Sequence, residues 1–244
     1  MQRNNGERGN AFLFILIAVV LFAALSFTVS KGFRSGGTTK LSEREIDLAA
    51  SQILDYSKRI ERQVDRVRRN GCSESELSFE NSVDGSYVNP SAPVDDSCSI
   101  FSSNGGTVAF WDTVGEGLHL GQAGAFFQRQ LITGDAMHHP DAAVEGNIDL
   151  MFWLPDIDRR LCMATNDILG VSNPSDNAPD ATAKELGGVR FIGTYGSSAP
   201  PGAITAIATT GNETLNQFSA CIRIEPDDGS VSEIYAFYSV LLAR

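Results

Sequence analysis

The chain has 244 residues, 42% of them hydrophobic, and a formal net charge of −11. It has no internal repeat and no recognisable catalytic motif. The charge is split along the chain. Residues 1–69 hold 12 basic and 7 acidic groups, a balance of +5, and residues 70–244 hold 7 basic and 23 acidic groups, a balance of −16. An acidic C-terminal part on a basic stem argues against nucleic acid as a partner, because phosphate binding needs a basic footprint. It favours solubility, and it permits salt-sensitive contacts between stem and acidic part, within one subunit or between subunits.

A polar leader, residues 1–9, gives way to an apolar run at 11–29 whose only polar members are Ser26 and Thr28. No charge or proline interrupts it. About 20 apolar residues cover the core of a bilayer, so residues 10–30 read as a transmembrane helix, with Ala11, Phe12, Phe14, Ile17, Leu21 and Leu25 among its apolar residues. A cleaved secretory signal has a shorter apolar region, roughly 7–15 residues, and a small-x-small cleavage site. Val29-Ser30-Lys31-Gly32 fits such a site poorly, and Ala23-Ala24-Leu25-Ser26 fits it weakly. Two further readings are a plain N-terminal anchor and a pilin-type signal. Arg3 and Arg8 precede the span and Lys31, Arg34 and Lys40 follow it, so charge does not orient it. Length does, since a long C-terminal part translocates largely regardless of charge. The expected topology is a cytoplasmic N-terminus, a single pass through the inner membrane, and a head in the periplasm or outside the cell.

The segment Glu7-Arg8-Gly9-Asn10-Ala11-Phe12-Leu13-Phe14-Ile15 ends a short polar leader in glycine and begins the apolar helix almost at once. It resembles the leader of type IV pilins and pseudopilins, and with the stem that follows the resemblance covers residues 1–69. It implies that a prepilin peptidase cuts between Gly9 and Asn10 and that the apolar helix stays on the mature protein. That helix first anchors the subunit and later packs among other pilin-like subunits. Phe14 stands at the fifth mature position, where the family carries a glutamate. Assembly would then rest on apolar helix packing without a charged partner.

A hinge is expected over residues 31–41, since Gly36-Gly37 followed by Thr38-Thr39 continues a helix badly. An amphipathic stem helix is expected over 42–70. Ser42 and Glu45 make a capping box, and Asn70-Gly71 makes a C-cap. Ile46, Ala49, Ile53, Ile60, Val64 and Val67 recur at helical spacing with Ala50, Leu54 and Tyr56 beside them, and Ser57 interrupts the stripe. Lys58, Arg59, Arg62, Arg66, Arg68 and Arg69 occupy the other faces.

Residues 71–244 are expected to form a β-rich, mainly antiparallel head, which makes the expected fold class α+β. Strands are expected at 107–111, 147–154, 189–195, 204–209, 218–224 and Ile234–Leu242, with the last two forming a hairpin across Asp227-Asp228-Gly229. A short helix is expected at Arg159–Leu169, and loops at 70–103 and 172–183. Trp111, Trp153, Phe126 and Phe127 are expected in the core. Four cysteines, Cys72, Cys98, Cys162 and Cys221, contain no Cys-x-x-Cys pair. They permit three pairings, and proximity favours Cys72–Cys98 and Cys162–Cys221 in an oxidising compartment.

No cofactor or metal is expected. His138 and His139 adjoin Asp135 and Asp141, but adjacent histidines on a strand point to opposite faces, and His119 stands apart. Asp156-Ile157-Asp158 and Asp227-Asp228-Gly229 read better as a helix cap and a turn than as calcium loops. Gly115-Glu116-Gly117 lacks the rest of a phosphate-binding motif, and no nucleophile elbow is present. The chain reads as a non-enzymatic, membrane-anchored structural subunit. The rival reading is a singly anchored domain that binds a ligand or partner without assembling.

Overall fold

A computed structural model describes residues 43–113, 126–131, 148–181, 189–194, 217–224 and 233–243. The chain divides into two compact units, Met1–Ser42 and Glu43–Arg244. The first lies outside the described residues, and with it the expected leader, span and hinge. Among the described residues, no helix is long and apolar enough to cross a membrane.

Helix α1 runs Glu43–Arg69. It buries Ile46, Ala49, Ala50, Ile53, Tyr56, Ile60, Val64 and Val67, the stripe that the spacing demands. Ser57 does not break this stripe. Its side chain is fully buried, and its hydroxyl donates to the Leu54 carbonyl at 3.0 Å, so no polar group is left unsatisfied. The helix stops where Gly71 enters the left-handed region at φ 106°. The Gly71 N–H then donates to the Arg68 carbonyl and the Cys72 N–H to the Val67 carbonyl, which together form a Schellman cap.

Among the described residues six strands form one sheet: β1 Phe126–Leu131, β2 Ile148–Leu154, β3 Asp180–Ala181, β4 Val189–Arg190, β5 Ser219–Ile224 and β6 Ile234–Leu242. Their order is β3-β5-β6-β2-β1-β4. Every pairing is antiparallel except the short parallel pair of β3 with β5. β5 pairs with β6 from Ser219↔Ser239 to Ile224↔Ile234, the register of the expected hairpin. The β2–β6 ladder shifts register between Leu150 and Met151, where β6 carries an extra residue.

β2 and β6 are buried along nearly their whole length, so both their faces lie inside. On one face Met151, Trp153, Ala220, Ile222, Ile224, Ala236, Tyr238 and Val240 form a cluster. Toward the other face, Tyr56 of α1 meets the Phe152 ring edge-on at 5.8 Å, and Phe152 meets Phe237 at 6.2 Å. Helix α2, Arg159–Leu169, packs against α1 and β5. Its N-cap is Asp158, whose carboxylate accepts from the Arg160 N–H at 2.8 Å.

Two strand expectations fail in the structure. Residues 107–111 form no ladder: Thr107 has a positive φ of 64°, and the Trp111 N–H donates to the Tyr56 hydroxyl at 3.2 Å. Trp111 is half-buried, not in the core. Of the strand expected over 189–195, the described residues keep only Val189–Arg190, because Phe191 turns away to meet the Phe79 ring edge-on at 6.0 Å. Residues 204–209 lie outside the described residues. β1 is an additional strand, and it carries Phe126 and Phe127.

Candidate functional site

The four cysteines form two disulfides, Cys72–Cys98 and Cys162–Cys221, with Cα separations of 5.8 and 5.3 Å. The second lies in the core, where it ties α2 to β5. Beside it, the Asn166 carboxamide accepts from the Cys221 N–H at 2.8 Å and donates to the Cys221 carbonyl at 2.9 Å. That side chain thus acts as a ladder partner on the flank of β5 that faces away from β6.

The first disulfide closes a lobe of loops and two 3₁₀ turns that begins one residue after the helix cap. A single parallel bridge, Ser78↔Ser99, runs through it. Leu77, Phe79, Tyr87 and Ile100 form its small core, together with Phe191. Asn89 donates to the Ser75 and Leu77 carbonyls at 2.8 and 2.7 Å. Gly105 and Gly106 pack so tightly on residues 99–100 that an added Cβ would lie 2.1 and 2.3 Å from the Ser99 and Ile100 carbonyl oxygens. Strand β4 fastens the lobe to the sheet. Its Arg190 pairs with Asp84 at 3.1 Å and lies 5.7 Å over the Tyr87 ring. Burial raises the Asp84 pKa, but bonds from Ser86 and the Arg190 charge outweigh it and hold the carboxyl below its ordinary value.

An open groove of about 540 Å³ crosses this lobe. Phe101 and Phe110 line it with their rings perpendicular and their centroids 5.2 Å apart. Glu80 and Asp96 line it as well, and both are exposed. Among the described residues neither carboxylate has a hydrogen-bonding or ion-pair partner. The groove therefore offers aromatic surface and two available negative charges. Chemically that suits a cation with apolar or planar character, since ring faces and carboxylates both attract positive charge.

The second feature lies on α1. Arg62, Arg66 and Arg69 are exposed and follow one another at spacings of four and three, so they share a helix face. None has an acidic partner among the described residues, whereas Lys58, Arg59 and Arg68 pair with Glu61, Asp55 and Glu74. A third charged group is structural: Arg223 joins Asp180 and Glu233 across the sheet edge. Bonds from Tyr235 and Arg223 hold the Glu233 carboxyl below its ordinary pKa.

The anchor and processing residues, Gly9, Asn10, Ala11, Phe12, Phe14, Ile17, Leu21 and Leu25, lie outside the described residues, as do His119, His138, His139, Asp227 and Asp228. Among the described residues no three His, Cys, Asp or Glu side chains come together as metal ligands. Asp158 is occupied as a helix cap. The groove went unseen in the sequence because its residues sit in a stretch that shows no periodicity. The adjacent Asn104-Gly105-Gly106 is its one local signal, and by itself it specifies only a turn.

No protein-family model, curated protein or solved structure matches the chain.

Proposed function

We propose that the protein is a pilin-like or pseudopilin-like structural subunit of a cell-envelope filament or secretion apparatus, held in the inner membrane by residues 10–30. The observation that carries this reading is the order of parts along the chain. An apolar run of membrane-spanning length precedes a 27-residue helix whose apolar stripe is buried in a mainly antiparallel, disulfide-bonded unit. Such a subunit can assemble by packing its apolar helix against copies of itself while the head stays in water. The disulfides agree with an oxidising compartment beyond the membrane. Catalysis plays no part in this reading.

The intact mass of the membrane-extracted protein tests it. The expected result is a chain lacking residues 1–9 and beginning at Asn10, and Gly9→Val should abolish that processing. A full-length mass, or a start near residues 26–32, would remove the reading. Electron microscopy of sheared surface material should show filaments that vanish in the Gly9→Val strain. The groove favours a second reading, a singly anchored domain that binds a ligand or partner without assembling, and a chain that keeps residues 1–9 would point to it.

A further inference from the structure

We infer that the lobe groove is an assembly contact that receives the arginine row of α1 from a second copy of the same chain. This rests on the structural-subunit reading and supplies a partner for its head. Within one subunit, Arg62, Arg66 and Arg69 present three like charges along about 10 Å of helix without a partner among the described residues. Like charges at such spacing disfavour the helix slightly. The helix dipole explains basic residues in the last turn, but not a row that reaches back to Arg62.

The groove has the complementary deficit. Glu80 and Asp96 are exposed carboxylates without a partner among the described residues, and Phe101 and Phe110 add ring surface to the same groove. A guanidinium suits both parts at once, since it bonds carboxylates in a planar fork and stacks on rings. The balance of −16 over residues 70–244 points the same way, since an acidic surface attracts a local row of arginines. A helix face on one copy and a groove on the next form a heterologous contact. Such a contact leaves a free face and a free groove at the two ends, so it can propagate.

The experiment uses the full chain in its native membrane. A photoreactive phenylalanine analogue replaces Ser82, which lines the groove and is exposed, so all charges are kept. Irradiation should give an adduct of twice the chain mass, with the cross-linked peptide containing Arg62, Arg66 or Arg69. The triple reversal R62E/R66E/R69E should lower the adduct about tenfold, and adding E80R/D96R to the same chain should restore it. Raising the salt concentration should lower it in the parent chain. An adduct to lipid, to another protein or to a different segment would overturn the inference, as would a yield unmoved by the triple reversal or not restored by the compensating pair. Filaments built from chains cut after Gly9 but lacking this adduct would defeat the groove contact alone. The adduct on chains that keep residues 1–9 would defeat the filament reading and leave the contact standing.

Discussion

The two disulfides fasten different kinds of structure, and the difference shows how each region is held. Around Cys162–Cys221, α1 and α2 lie on a sheet whose central strands are buried on both faces, so apolar burial dominates and the bridge reinforces it. Around Cys72–Cys98 there is one bridge of sheet, two 3₁₀ turns and a handful of buried rings. Side-chain hydrogen bonds and the covalent link replace the missing ladders there. The first region can stand as a scaffold. The second is a displayed surface, fixed at one end to the helix cap through Cys72 and at another to the sheet edge through Arg190 and Phe191.

The sharpest test of this contrast is truncation in the core. Phe152→Ala removes the ring that α1 and β6 share and should cost about 3–5 kcal/mol of global stability, read by denaturant unfolding of the full chain in detergent. A cost below 1 kcal/mol would mean that burial does not dominate that region. The disulfides come next. Chain-entropy arguments give about 4 kcal/mol for Cys162–Cys221, which closes 59 residues, and about 3.5 kcal/mol for Cys72–Cys98, which closes 26. The similar totals should act on different places. Replacing Cys72 and Cys98 by serine should speed hydrogen exchange in the lobe while β5 and β6 stay protected, and replacing Cys162 and Cys221 should expose both. Equal loss of protection everywhere in both variants would erase the distinction.

The smallest expected effect lies at the joint between the regions. Tyr56 packs its ring edge against Trp111 at 5.2 Å, and its hydroxyl accepts from the Trp111 N–H. Burial favours the neutral phenol and pushes its pKa above the ordinary 10.0, while the bond from Trp111 works the other way and is outweighed. A folded-state pKa raised above the unfolded one gives stability that is complete below pH 10 and is lost as pH rises beyond it. Tyr56→Phe should cost about 1 kcal/mol at neutral pH and make the alkaline loss shallower. An unchanged alkaline profile would place that loss at other tyrosines.

Much of the scaffold was legible in the sequence because it is periodic. The stripe from Ile46 to Val67 fixed the buried face of α1, and Asn70-Gly71 marked its end. Arg159–Leu169 and Ile234–Leu242 coincide with their sequence boundaries, and the short-range cysteine pairing is the observed one. The lobe was not legible. Residues 107–111 look like a strand because they are apolar and follow a glycine turn, yet Thr107 takes a left-handed backbone and Trp111 is claimed by Tyr56, 55 positions away. Ser57 read as a break in the stripe because a hydroxyl counts as polar, although the helix itself satisfies it. Phe191 read as strand and became lobe core, since its partner Phe79 is distant in the chain.

Local chemistry in the sequence thus determined the elements whose side chains repeat along one face, the place where the long helix ends, and the separation of a basic N-terminal part from an acidic remainder. Only the tertiary structure decided that α1 belongs to the same compact unit as the sheet, that Asn166 completes the edge of β5, and that Glu80, Asp96, Phe101 and Phe110 share a groove. The reason is physical: periodicity reports which face of an element avoids water, while a groove is made by residues from separate turns whose meeting is fixed by a disulfide and by packing between distant rings.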